Sequence, residues 1–248
     1  MAERRHFEEG GAGYARHRPT YPPVLAGALA ALTAGRGQAL DVGCGNGQLT
    51  VLLAAEFDRV TGTDISADQI ANAEPRPNID YRVEPAEASA LTDGSVDLIV
   101  AAQAAHWFDL PRFYAEVRRL AAPGAALALV SYGVPELAGP AAERFRRFYW
   151  GDIHPFWPEG RAHVEQGYAS LDFPFAELSI PALVIERDWS FSALAGYVST
   201  WSAVKAAAKA GQGEIAETTM TEIAALWGDP GTEYRISWPI TGRFARLD

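Results

Sequence analysis

Residues 39–50 read A-L-D-V-G-C-G-N-G-Q-L-T. Leu40 and Val42 predict the end of a short buried strand. Gly43, Gly45 and Gly47 then turn the backbone, and a helical pattern opens near Gln48 with Leu49, Leu52, Leu53 and Phe57 on its apolar face. Strand, glycine turn and helix form the entrance to a nucleotide-type site in an open α/β sheet. Glycine reaches positive φ without a Cβ clash and lets a ligand approach the bare backbone. The free N–H groups at the helix start then face that ligand.

Spacing narrows the ligand. A dinucleotide fingerprint, G-x-G-x-x-G, would place its third glycine at position 48, which is Gln48. No Gly-Lys-Ser/Thr ending follows, so this is no phosphate-cradling loop. The run D-V-G-C-G-N-G instead resembles the first motif of the class I S-adenosylmethionine-dependent methyltransferases. That resemblance implies an α/β, Rossmann-like, seven-stranded mixed sheet with its last strand antiparallel. It also implies S-adenosylmethionine as cofactor, held by Asp41, Gly43, Gly45 and Gly47. The plain alternative is a tight turn with no ligand.

Val60 to Ser66 predicts the next strand and its exit, ending on Asp64, well placed to hold a ribose diol. Ile65 is a neighbouring cofactor candidate, and Ser66 is the better cap for the helix that follows. Ile79 to Val83 alternates like a third strand and leads to Glu84-Pro85-Ala86-Glu87. By the same resemblance, Glu87 accepts from the adenine amine and the Ala86 backbone serves a ring nitrogen.

Leu98 to Ala102 reads as a strand buried on both faces. It opens onto Gln103-Ala104-Ala105-His106-Trp107-Phe108-Asp109, which the sheet rule places over the same mouth as Gly43 and Asp64. The run S-V-D-L-I-V-A-A-Q-A-A-H-W-F-D resembles the fourth-strand signature of the type 11 methyltransferase group, in particular the trans-aconitate methyltransferase-like branch. Gln103 is thereby a cofactor candidate. His106 is the catalytic candidate, either as a base, since its ordinary pKa lies near working pH, or as a residue that only lines the pocket.

The leader Y-x-x-x-R-P-x-Y-P, beginning at Tyr14, resembles one that folds over the cofactor in this branch; Tyr14 and Arg16 or Arg18 are expected at its amino-acid end. We expect one methyltransferase domain: a lid segment at 1–23, a cofactor-binding core at 24–132, a substrate cap at 133–180, and C-terminal strands with a helical insert at 181–248. Leu110 to Ala121 predicts a helix, Pro123-Gly124 a turn, and 125–132 a fifth strand. Residues 140–150 read as helical, 182–191 as a sixth strand, and 233–240 as a closing strand. Ser192 is the expected cap of one helix running through Val198, Trp201 and Val204. The substrate candidates are Trp107, Tyr132, Trp150, Trp157 and Trp201, although most cap aromatics are expected to close the cap's own core.

Composition excludes several classes. At 48% hydrophobic and 21% charged, the chain is an ordinary folded protein. A net charge of −10 argues against a nucleic-acid or anionic-membrane partner and for a small-molecule substrate. The single cysteine, Cys44, permits no internal disulfide and reads as a packing residue. No early apolar run resembles a signal peptide or membrane span, so a cytoplasmic location is the default expectation. No cluster has metal-ligand spacing, and no metal is expected. The functional expectation is methyl transfer to a small acceptor, with O-methylation of a carboxylate favoured. Arg144, Arg146, Arg147 and Arg187 are the cations that could serve an acidic acceptor. The alternatives are a silent S-adenosylmethionine-binding protein and, less favoured, a nicotinamide-dependent oxidoreductase. The oligomeric state stays open.

Overall fold

The computed structural model describes residues 19–247. Strands β1 (Gln38–Val42), β2 (Arg59–Asp64), β3 (Ile79–Val83), β4 (Val96–Ala102) and β5 (Ala121–Tyr132) are parallel, in the spatial order β3-β2-β1-β4-β5. β1 is buried at every position, as a central parallel strand must be when helices cover both faces. Side-chain alternation sends Ala39, Leu98, Val100, Ala126, Ala128 and Val130 to one face, with α1 (Pro23–Ala30) and α2 (Gln48–Leu53). Leu40, Val42, Ile99, Ala101, Leu127 and Leu129 go to the other. There they meet Phe113, Tyr114, Val117 and Leu120 of α4 (Leu110–Leu120). The short α3 (Ala67–Ala71) follows β2, capped by Ser66, whose side chain accepts from the Gln69 N–H.

The far half of the sheet is antiparallel. The long β9 (Tyr234–Arg246) pairs with β5 through residues 240–246 and with β8 (Leu183–Trp189) through 234–240. Two short strands, β6 (Glu136–Leu137) and β7 (Glu177–Leu178), also pair with β9. The result is the expected mixed sheet of seven principal strands, extended by these two short additions.

Three local expectations differ from the structure. Pro123-Gly124 is not a turn between helix and strand but an irregularity inside β5. Ala121 pairs with Val96 and Ala126 with Leu98, and Gly124 takes up the slack at φ 74°. The capping serine is Ser190, which accepts from the Ala193 N–H, and not Ser192. The single helix expected there is two, α7 (Phe191–Ser199) and α8 (Ser202–Lys209), because Trp201 adopts an extended backbone between them. A further helix, α9 (Glu214–Trp227), packs on both.

The cap is built on α5 (Ala142–Arg147), a π-type turn at Phe148–Asp152 and α6 (Arg161–Glu165). Phe145, Phe148, Tyr149, Tyr197 and Trp201 form one aromatic cluster, with Phe148 stacked on Trp201 at 6.0 Å and 14°. Ser131 at the exit of β5 donates to the Val164 carbonyl and ties α6 to the sheet.

Candidate active site

The glycine turn is held by backbone bonds that need no ligand. Both Gly43 and Cys44 N–H groups donate to the Thr63 carbonyl, at 2.7 and 2.9 Å, so β1 and β2 leave the sheet together. Gly43, Gly45 and Gly47 all have positive φ (69°, 56° and 85°). At Gly43 a Cβ would lie 2.6 Å from the Ala104 Cβ, and at Gly47 it would strike the Tyr81 hydroxyl. At Gly45 the nearest atom to such a Cβ is Gln69 Oε1 at 3.8 Å, an ordinary contact with no clash. Cys44 packs beneath the turn. Burial, reinforced by Asp41 and Asp64, pushes its thiol pKa far up, and the group is inert.

Asp41 is buried, with Thr50 Oγ1 donating to Oδ2 at 2.6 Å and no partner on Oδ1. Desolvation raises its pKa to about 7, opposed by the Thr50 bond and aided by the Asp64 charge. Asp64 accepts from the Gly45 N–H at 2.9 Å through Oδ2 and from the Ser66 N–H at 2.8 Å through Oδ1. Beside it, Ile65 is 62% exposed, and Val83 at the end of β3 is 54% exposed. An orphaned carboxylate oxygen, an open glycine face and two apolar side chains turned to solvent fit an adenosyl ligand bearing a cationic end. Glu87 lies at the same edge, but its Oε1 accepts from the Asp109 N–H at 2.9 Å, so the carboxylate also braces the start of α4. Ala86, beside it, is half-buried and packs against the same core as α4.

β4 supplies the opposite side. Gln103 stands at φ 58°, a costly conformation for a residue with a side chain, and its Nε2 donates to the Tyr132 carbonyl at 3.1 Å. Tyr132 itself meets Tyr21 edge-on at 5.9 Å, so Tyr21, just ahead of α1, packs at this mouth. Tyr14, Arg16 and Arg18 lie outside the described residues.

His106 sits in a short 3-10 turn, Ala105–Trp107, with its Nδ1 at 3.1 Å from the Tyr168 hydroxyl. Burial, then the charges of His163 and Arg161, lower its pKa to about 4, so it is neutral at working pH. Tyr168 is completely buried, and its hydroxyl proton needs an acceptor. His106 Nδ1 is the acceptor in reach among the described residues, and in that arrangement the ring proton sits on Nε2. Gly167 and Tyr168 are consecutive positive-φ residues (59° and 65°), and the second is a bulky aromatic. Gly160 packs on the ring edge, where a Cβ would come within 3.1 Å of His106 Cδ2.

The other acceptor-side candidates separate. Trp107 is 43% exposed and lies against the His106 ring at 4.9 Å. Trp150 is half-exposed and stacks on His154 at 5.4 Å. Trp157 carries the Arg161 guanidinium over its ring at 4.5 Å. Trp201 is buried at 1% exposure inside the cap's aromatic cluster, where it supports a wall and presents no face to a ligand. Sequence reasoning missed Tyr168 and Arg161, for which Gly160 and Gly167 were the available signals. Of the arginines it named, Arg144 is committed to Glu222, Asp152 and Thr219, and Arg187 to Thr20. Arg146 and Arg147 are exposed on α5.

A family model described as a methyltransferase domain matches residues 40–129, which span β1 to β5 and hence the glycine turn, Asp64, Glu87 and His106. A Dictyostelium discoideum protein named as a methyltransferase is 35% identical over 224 residues, covering 87% of this chain and 85% of that protein. The chain belongs to the methyltransferase family. A solved structure described as a type II methyltransferase from Anaeromyxobacter dehalogenans superposes with a TM-score of 0.87 at 43% identity, covering 92% of this chain and 97% of that one. A Saccharomyces cerevisiae protein named as an S-adenosylmethionine-dependent methyltransferase is 30% identical over 141 residues, 53% of this chain and 48% of that protein. The methyltransferase is S-adenosylmethionine-dependent, and the mouth built by Asp41, the three glycines and Asp64 fits that cofactor. Among the described residues, no helix is long and apolar enough to cross a membrane.

Proposed function

We propose that this methyltransferase acts on a small molecule and transfers the methyl group to an oxygen, with a carboxylate oxygen favoured. The observation that supports this most is the state of His106. Burial pushes its pKa down to about 4, and its Nδ1 lies 3.1 Å from the Tyr168 hydroxyl, which engages the lone pair when Tyr168 is the donor. On this reading His106 is no free base at the exit of β4. A carboxylate, ionised above about pH 4, needs no proton removed, whereas a phenol, amine or carbon acid does.

When bound, S-adenosylmethionine supplies a methyl group on a sulfonium sulfur, already activated for in-line displacement. The chain's own residues hold and orient. Asp41, the Gly45 backbone and Asp64 grip the cofactor end. Gln103 and the Nε2–H of His106 line the acceptor side, and the cap aromatics keep water out. Positioning of this kind can supply about 7–11 kcal/mol of the barrier. The net charge of −10 disfavours a nucleic-acid acceptor.

The test is transfer of tritiated methyl from S-adenosylmethionine to panels of small carboxylic acids, phenols and amines. A methyl ester releases volatile methanol in mild base; an ether or N-methyl product does not. Base-labile product from the acids is the expected result. Base-stable product would overturn the carboxylate reading. Binding of S-adenosylhomocysteine with no transfer to any panel would favour the silent binding protein.

A further inference from the structure

Arg161 stands apart from the other arginines named above in how its donors are used. Its Nε donates to the Tyr149 hydroxyl at 2.7 Å, and its guanidinium lies over the rings of Trp157 and Tyr149 at 4.5 and 5.5 Å. Both rings hold the planar group in place, and only 17% of the side chain is exposed. Glu165 is its nearest carboxylate, 3.5 Å from Nε, but that carboxylate is already engaged. Its Oε1 accepts from the Tyr149 hydroxyl at 2.6 Å, and its Oε2 faces His154 Nε2 at 3.3 Å. The terminal nitrogens of Arg161 have no hydrogen-bond partner among the described residues.

Two further facts place this fork on the acceptor side. Gly160, its chain neighbour, packs on the His106 ring, and the Arg161 charge acts on both His106 and Tyr168. The adjoining Trp157 indole N–H is also buried without a partner. Every unmet group here is a donor and none is an acceptor. The local demand is for a ligand rich in acceptor oxygens, and the Trp157 and Tyr149 rings flanking the guanidinium favour a flat one.

We propose that Arg161 is the acceptor-recognition residue: its terminal guanidinium nitrogens bind a carboxylate of a small planar organic acid on the side of the mouth formed by Trp157 and His106. This rests on the reading of that mouth as the site of transfer to a small acid. Selectivity then comes from charge as well as shape, because a neutral isostere leaves the guanidinium donors unpaired.

The probes are benzoate and benzamide, of the same shape but different charge, titrated calorimetrically into the protein loaded with S-adenosylhomocysteine. Wild type is expected to bind benzoate more than ten-fold tighter than benzamide. Arg161→Met, which keeps apolar packing on Tyr149 and Trp157, is expected to lose that preference. Arg161→Lys, which keeps the charge without the fork, is expected to retain part of it. Equal binding of the two probes by wild type, no binding of benzoate, or an undiminished preference in Arg161→Met would overturn the proposal. Should Arg161→Met fail to melt cooperatively, the wild-type ratio and Arg161→Lys decide. The transfer reading is judged separately. A benzoate preference that depends on Arg161, with no methyl ester from any acid, sinks transfer and keeps the site. Ester formation unaffected by Arg161→Met does the reverse.

Discussion

The Asp64 carboxylate accepts the Gly45 backbone N–H at 2.9 Å, so the residue proposed to bind the cofactor also pins the glycine turn. Its second oxygen receives the Ser66 N–H and shapes the start of α3. Asp64→Ala would therefore remove an anchor of the turn together with the proposed cofactor contact. Hydrogen bonds to charged groups are worth about 1.5–3 kcal/mol. We expect S-adenosylhomocysteine affinity to fall at least about ten-fold, which is about 1.4 kcal/mol. Calorimetric titration checks this, and unchanged affinity would remove Asp64 from the site.

Gly45 and Gly47 separate binding from folding. Alanine at either position bears a left-handed penalty of about 1–2 kcal/mol. At Gly47 the new Cβ also collides with the Tyr81 hydroxyl, whereas at Gly45 it makes no clash. Gly47→Ala should lower the melting temperature more than Gly45→Ala. Gly45→Ala should show the larger loss of cofactor binding relative to its loss of stability. Melting curves beside titrations decide it.

Asp41 gives the cofactor-free protein a pH-dependent stability. Unfolded, its carboxyl titrates at the ordinary value of 3.8; folded, at about 7. Between these values the folded state holds a proton that the unfolded state has released. Stability is therefore greatest below the lower value, declines as pH rises toward 7, and is level above it, a span on the order of a few kcal/mol. Melting of wild type and Asp41→Asn from pH 4.5 to 8 tests this, since the slope belonging to Asp41 should be missing from the variant.

His106 works in the opposite sense. Its pKa falls from 6.5 unfolded to about 4 folded, so its contribution is complete above pH 6.5 and is lost as pH drops toward 4. Nitrogen NMR of the ring should show Nδ1 unprotonated and Nε2 protonated from pH 6 to 9. Tyr168→Phe removes the proton donor to Nδ1 and should disturb that signature, with a stability loss of about 1–3 kcal/mol. An Nδ1–H tautomer in wild type would return His106 to the role of base.

Trp201 and Trp150 look alike in sequence and differ in the fold. Trp201→Ala empties a site buried at 1% exposure and should cost about 3–5 kcal/mol. Trp150→Ala, at a half-exposed position, should stay within about 0.5 kcal/mol. Chemical denaturation of the two variants compares them directly.

The strand–glycine–helix unit, the acidic end of β2 and the mouth after β4 are legible in the amino-acid order alone. Their requirements are local: positive φ at fixed offsets, alternation along strands and a cap at Ser66. Residue type at a given spacing encodes such needs. The split of α7 from α8 and the irregularity in β5 are not legible there. Trp201 interrupts the helix by entering a distant aromatic cluster, and the β5 irregularity depends on pairing with β4.

The sequence by itself determined the sheet, the order of its parallel strands' motifs and the kind of ligand its glycine turn admits. Only the tertiary structure decided the acceptor side. His106 and Tyr168 are 62 residues apart in the chain, and their hydrogen bond exists because α6 is tied to the end of β5. Arg161 meets Glu165 only through Nε, at 3.5 Å, while that carboxylate also faces Tyr149 and His154, so the terminal guanidinium nitrogens are left without a hydrogen-bond partner among the described residues. Protonation and pairing of this kind are set by burial and by which partners remain free, quantities that arise only when distant segments share one slot.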